Sequence, residues 1–101
     1  MSAYMISQVT VTDSEKFKEY LAATRVVASK YGAKIVARGE QRHVLNGDGN
    51  EHQMVFVIEF PSIEYLEEWN SSEEYQSLIP LRDAGSRQYM VAYEAVPQTQ
   101  P

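Results

Sequence analysis

The sequence contains no cysteine. Disulfide staples, thiolate nucleophiles and cysteine metal ligands are excluded with it. Redox usage therefore gives no guide to compartment. Cationic residues are few: nine Lys and Arg stand against 14 Asp and Glu, for a formal net charge of −5. That balance argues against nonspecific binding to nucleic acid or anionic lipid, since both need a cationic face. No apolar run approaches the roughly 18 residues of a membrane span. The opening "MSAYMISQVTVTDSEK" has neither the basic start nor the apolar core of a secretory signal. A soluble, cytoplasmic protein is the expectation. No glycine-rich phosphate loop, G-x-S-x-G or zinc spacing occurs, so no cofactor and no metal is expected.

What is present reads as one domain. At 101 residues the chain is long enough to bury a core without staples. "YMISQVTV" at residues 4–11 is β-branched and aromatic, and predicts a strand. Asp13 or Ser14 then offers an N-cap. Phe17, Tyr20, Leu21, Thr24, Ala28 and Tyr31 follow at helical spacing. Gly32 stands where a left-handed residue ends a helix. "AKIVARG" predicts a second strand, with Arg38 sharing a face with Val36 and a bulge or bend at Gly39. "QRHVL" extends it to the turn "NGDGN". "QMVFVIEF" returns as the third strand, with Met54, Phe56, Ile58 and Phe60 on one face.

Ser62 caps a short helix over "IEYLEEWN". Ser71 and Glu74 are spaced as a capping box for the next. Pro80 predicts a kink or break, because it cannot donate to the carbonyl four residues back. "SRQYMVAYEAV" is the fourth strand, and "PQTQP" a disordered tail. The order β-α-β-β-α-β predicts a ferredoxin-like α+β fold over residues 1–96, with residues 97–101 as the tail. Its sheet is four-stranded and antiparallel, with both helices on one face and strands one and three central. Val55 and Val57 lie opposite Phe56 and Ile58, so the second face is apolar too. No sequence remains to cover it, and a homodimer is the economical answer.

On these segments the chain resembles the dimeric α+β barrel superfamily, and within it the domain of unknown function 1330 family. The segments are "AYMISQVTVTDSEKFKEYLA", "YGAKIVARG", "VFVIEFPSIEYLEEWNSSEEYQSLIPLRDAGS" and the closing strand, over residues 3–96. The family often carries a second glycine after "RG"; here Glu40 stands there. The resemblance implies a homodimer whose sheets pack face to face around pockets. It implies no settled reaction, since relatives include cofactor-independent monooxygenases, isomerases, haem-degrading enzymes and proteins of no known activity.

Five residues are candidates for a site. Arg82 falls at i+7 from Tyr75 on an apolar helix stripe, so it must snorkel, pair with a carboxylate such as Glu59, or bind an anion. Arg38 faces the dimer cavity if its strand face is covered, and suits a carboxylate or enolate; otherwise it pairs with Glu40 or Glu59, or is exposed. His43 is placed for proton transfer near neutrality if it reaches a pocket, and is otherwise a hairpin histidine in water. Trp69 and Tyr75 are core aromatics or the wall of a pocket for a flat ligand. Arg42 reads as hairpin surface. His43 and His52, with Asp48 and Glu51, lack any recognised ligand spacing. Two function classes follow. One is a cofactor-independent enzyme performing proton transfer or oxygenation on a small anionic or aromatic molecule. The other is a non-catalytic dimeric binding or accessory module.

Overall fold

The computed structural model describes residues 1–99. Four strands, β1 (Ala3–Val11), β2 (Lys34–Glu40), β3 (Met54–Phe60) and β4 (Ser86–Glu94), form one antiparallel sheet in the order β2-β3-β1-β4. The helices are α1 (Ser14–Ser29), α2 (Ile63–Ser71), α3 (Glu73–Gln76) and α4 (Ile79–Gly85). This is the expected ferredoxin-like α+β arrangement, with β1 and β3 central. Of the expected tail, Pro97–Thr99 are exposed, and Gln100 and Pro101 lie outside the described residues.

Side chains alternate across a strand, so β1 sets the phase of the sheet. Ala3, Met5, Ser7 and Val9 are all buried against the helices. Opposite them stand Phe60, Ile58, Phe56 and Met54 of β3, and Met90, Gln88 and Ser86 of β4 complete that face. α1 covers it with Phe17, Tyr20 and Val27. Asp13 caps α1 as expected, its Oδ1 accepting from the Lys16 N–H at 3.1 Å. Gly32 has φ +78, the left-handed conformation expected of it.

Two expectations about the strands are corrected. "QRHVL" does not continue β2: the strand stops at Glu40, and residues 41–53 form a long exposed connection. Glu51 fastens it through two bonds from Arg87, at 3.1 and 3.2 Å, and Asn50 Nδ2 donates to Gln8 at 2.8 Å. The irregularity in β2 lies at Val36 rather than Gly39: Ile35 pairs with Ile58 and Ala37 with Val57. Two residues therefore oppose a single step of β3, and the alternation inverts beyond that point.

The second helical half is three short pieces. Ser62 caps α2 as expected, accepting from Tyr65 N–H at 3.3 Å. The next cap is Ser72, not Ser71. Its Oγ donates to the Trp69 carbonyl at 2.7 Å and accepts from Tyr75 N–H at 3.1 Å. Ser71 instead donates back to the Glu67 carbonyl at 3.0 Å, within the end of α2. Pro80 sits in the first turn of α4, where its missing N–H costs nothing, and the break falls just before it.

α4 ends against the start of α1. The Gly85 carbonyl accepts from the N–H groups of Thr12 and Asp13, at 2.9 and 3.1 Å. A Cβ on Gly85 would stand 2.7 Å from the Phe17 nitrogen and 3.0 Å from the Lys16 carbonyl carbon. Backbone cannot swing aside as a side chain can, so this contact admits only glycine. Gly85→Ala is expected to cost about 2 kcal/mol, read as a lower urea midpoint with an unchanged slope.

Candidate functional site

A cavity of about 110 Å³ opens between α1 and the helix-covered face of the sheet. Its floor is apolar, with Met5, Phe56, Ile58 and Phe60, and its roof is the inner stripe of α1. Trp69 closes one side. Its ring centroid lies 5.4 Å from Phe60 and 4.2 Å from Tyr75. The Ser72 cap sets this wall, since one hydroxyl binds both the Trp69 carbonyl and the Tyr75 N–H.

Polar groups are sparse and buried. Ser7 Oγ donates to Gln88 Oε1 at 2.7 Å, and Gln88 Nε2 donates to Ser86 Oγ at 3.0 Å. Ser86 Oγ in turn donates to the Arg82 carbonyl at 2.7 Å. Two atoms on cavity-lining side chains are left over. The Nε1–H of Trp69 and the Oγ1 of Thr24 are buried and have no partner. Thr24 lies beside Tyr20, without closing a hydrogen bond to it. An unpaired buried donor costs about 1–3 kcal/mol, so a cavity holding one invites an acceptor.

Behind the wall runs a chain of hydroxyls. Arg82 Nη1 donates to Tyr75 Oη at 3.1 Å, and Tyr75 Oη lies 2.9 Å from Tyr20 Oη. Tyr75 is fully buried, and Tyr20 lines the cavity. Burial, then the neighbouring Tyr75, pushes the Tyr20 phenol far above its ordinary pKa. It stays a protonated donor and is unsuited to act as a tyrosinate base. Burial works against the Arg82 cation, but its bonds to Asp83, at 3.0 Å, and to Tyr75 outweigh that and raise its pKa. Arg82 therefore does not pair with Glu59, which instead accepts from Tyr4 Oη at 3.4 Å.

The five sequence candidates separate. Trp69 and Arg38 line the cavity; Tyr75 and Arg82 stand behind it; His43 is exposed in the 41–53 connection and is absent from the lining. Arg38 does not follow Val36. The bulge pairs it with Phe56, on the helix-covered face, and its guanidinium carbon sits 5.3 Å above the Phe56 ring. It also borders a shallower depression with Glu40 and Arg42, which pair with each other at 3.7 Å. His52 Nδ1 lies 3.0 Å from Thr10 Oγ1. Among the described residues no group of three or more His, Asp or Glu side chains is placed to hold a metal. No helix there is long and apolar enough to cross a membrane.

Sequence reasoning passed over Tyr20, Thr24, Arg25 and Gln88. Tyr20 and Thr24 carried a signal, being polar groups on an otherwise apolar helix stripe. Arg25 and Gln88 carried none.

Fold and cavity together define a small ferredoxin-like α+β protein with an internal chamber. The chain belongs to the family described as domain of unknown function DUF1330, whose profile matches residues 2–96. Among solved structures it is similar to the RPA0582 protein of unknown function from Rhodopseudomonas palustris, at 20% identity and a TM-score of 0.79, over 95% of this chain and 83% of that one. It is also similar to a dimeric ferredoxin-like protein of unknown function from Jannaschia sp. CCS1, at 14% identity and a TM-score of 0.71, over 94% and 100%. A third is SnoaB, a cofactor-independent oxygenase from Streptomyces nogalater, at 11% identity and a TM-score of 0.68, over 99% and 98%. At such identities the likeness is one of fold. No curated protein matches the chain.

The Tyr20 shift has a consequence for stability. Its pKa is raised in the folded state, so the folded chain keeps a proton that the unfolded chain releases above about pH 10. The stability tied to this group is complete below that pH and is lost as pH rises beyond it. Urea unfolding at pH 9 and pH 11 should show the fall, and Tyr20→Phe should flatten it.

Proposed function

We propose that the chain is a small-molecule-binding protein, whose ligand occupies the chamber between α1 and the sheet. The ligand is flat and mainly apolar, and carries an acceptor oxygen at its inner end. One observation supports this reading: the buried Nε1–H of Trp69, a residue that lines the chamber, has no partner among the described residues. A ligand acceptor would satisfy it, and the apolar floor would supply the rest of the affinity.

A catalytic reading of the same chamber has one observation in its favour. Trp69 and Tyr20 both line the chamber and each carries a donor, the Tyr20 hydroxyl being backed by Tyr75 and Arg82. Such donors stabilise negative charge growing on a ligand oxygen, as when a ketone becomes an enolate. Among the described residues no carboxylate or imidazole lines the chamber. A substrate would therefore need an acidic hydrogen of its own, or a base arriving from outside. His43 could serve only if the 41–53 connection carried it to the mouth.

The chain has one tryptophan, so its indole N–H gives a single proton–nitrogen correlation signal. Neutral 2-naphthamide is expected to move that signal downfield and to raise the melting temperature. Ala28→Phe, which fills the chamber from α1, should abolish both effects, and His43→Ala should change neither. An indole signal unmoved at millimolar probe would overturn the binding reading.

We also infer a homodimer, closed through the other face of the sheet. Tyr4, Ile6, Val55, Val57 and Val91 lie on that face half-buried, with Tyr89 and Tyr93 exposed. A contiguous apolar sheet face of this kind marks an association surface. The neighbour from Jannaschia is dimeric by description, which supports the reading. Light scattering should give twice the 11.5 kDa chain mass. Val57→Asp should return the protein to a monomer, because it would bury a charge at the centre of the interface.

A further inference from the structure

The chamber's rim is cationic, in a protein that is otherwise acidic. Five of the nine Lys and Arg residues stand within ion-pair distance of a carboxylate: Lys18, Lys30, Arg42, Arg82 and Arg87. The four without such a partner among the described residues are Lys16, Arg25, Lys34 and Arg38. Three of those four border the chamber, and none of the 14 acidic residues does. Carboxylates outnumber cations in this chain, so neutralising these three would have been the easy arrangement. Glu59 and Glu40 stand nearby in the strands, yet neither lines the chamber nor closes an ion pair with these cations.

Lys34 also borders the chamber, but it stands across from Glu59 in the strand register, and that carboxylate offsets its charge. The working charges are Arg25, on the flank of α1 beside Thr24, and Arg38. Arg38 is on this face only because of the Val36 bulge. Its guanidinium rests over the Phe56 ring, the same ring that forms part of the chamber floor. The ring holds the guanidinium through cation–π attraction, which leaves the N–H edges free. Those edges match a carboxylate in two parallel hydrogen bonds.

We propose that the ligand is a flat aromatic monocarboxylate, its ring system in the chamber and its carboxylate at the rim on Arg38 and Arg25. This rests on the chamber being the binding site, and adds the charge of the ligand. The arrangement keeps the carboxylate near water, where its desolvation is small, and sends only apolar surface and one acceptor inward. A neutral molecule of the same shape would fit, but would leave both cations unused.

The test compares 6-methoxy-2-naphthoate with uncharged 6-methoxy-2-naphthamide, which has nearly the same shape and the same inner acceptor oxygen, followed through the Trp69 indole signal. The wild-type protein should bind the naphthoate at least tenfold more tightly, and that margin should shrink as salt is raised. Arg25→Gln with Arg38→Gln should remove the preference while leaving naphthamide affinity unchanged. Both side chains are exposed, so the variant should fold, and its melting temperature checks this. Arg38→Lys keeps the charge but not the planar fork, and should recover only part of the margin. Equal affinities in the wild type, or a preference that survives the double substitution, would overturn the proposal and leave the chamber standing. If neither probe moves the indole signal, the chamber reading falls and this one with it.

Discussion

The strict alternation of side chains across a sheet governs this molecule, together with the one residue that breaks it. β1 lies between β3 and β4, and its register fixes which residues of both face the helices. Ser7 and Gln88 meet because that register puts them on one face. Tyr4 and Glu59 meet on the other for the same reason. β2, at the edge, has only β3 as a neighbour, and there the single extra residue at Val36 reverses the pattern. Without it Arg38 would stand beside Val55 on the open face, among residues that a partner chain would cover. With it, the guanidinium stands over Phe56 at the mouth of the chamber.

This explains what could be read in the sequence. The element order, both central strands, the caps at Asp13 and Ser62, the turn at Gly32 and the break before Pro80 all follow from short-range rules. In each, the chemistry of one residue decides a local backbone state. The bulge does not follow from such a rule. "AKIVARG" alternates as well with an inserted residue as without one, and glycine, the usual marker, stands three positions away. The cap at Ser72 rather than Ser71 was hidden for a similar reason: adjacent serines both satisfy the pattern, and packing of Trp69 against Tyr75 decides between them. The 41–53 connection carries the apolar pair Val44 and Leu45, as a strand could. They are exposed, and the segment is held instead by polar contacts at its far end, from Glu51 to Arg87 and from Asn50 to Gln8.

The polar groups in and behind the chamber form two systems with different character. Ser7, Gln88 and Ser86 satisfy one another and end on a backbone carbonyl, so they are a closed, structural network. The other system begins at a cation. Arg82 donates to Tyr75, and an oxygen that accepts from a guanidinium becomes a better donor through its own hydrogen. Tyr20 is the oxygen next in line, at 2.9 Å. If Tyr75 donates there, the Tyr20 hydrogen is left for Thr24 or for a ligand. Trp69 leaves a second donor unpaired, and the unpaired Thr24 hydroxyl can either donate or accept.

Charge then separates the two ends of that space. The inner end holds neutral donors in a setting where a fixed charge would be expensive to desolvate. The outer end holds guanidinium groups in water, where a carboxylate can reach them at little desolvation cost. A molecule oriented by both ends could enter in only one direction, acid last. The same division limits the chemistry. Negative charge arising at the inner oxygen would be met by hydrogen bonds and not by a counter-ion, and Tyr20 is too weak an acid to surrender its proton. Under the proposed reading the chamber would hold and polarise an oxygen, and a proton leaving the ligand would depart by the rim.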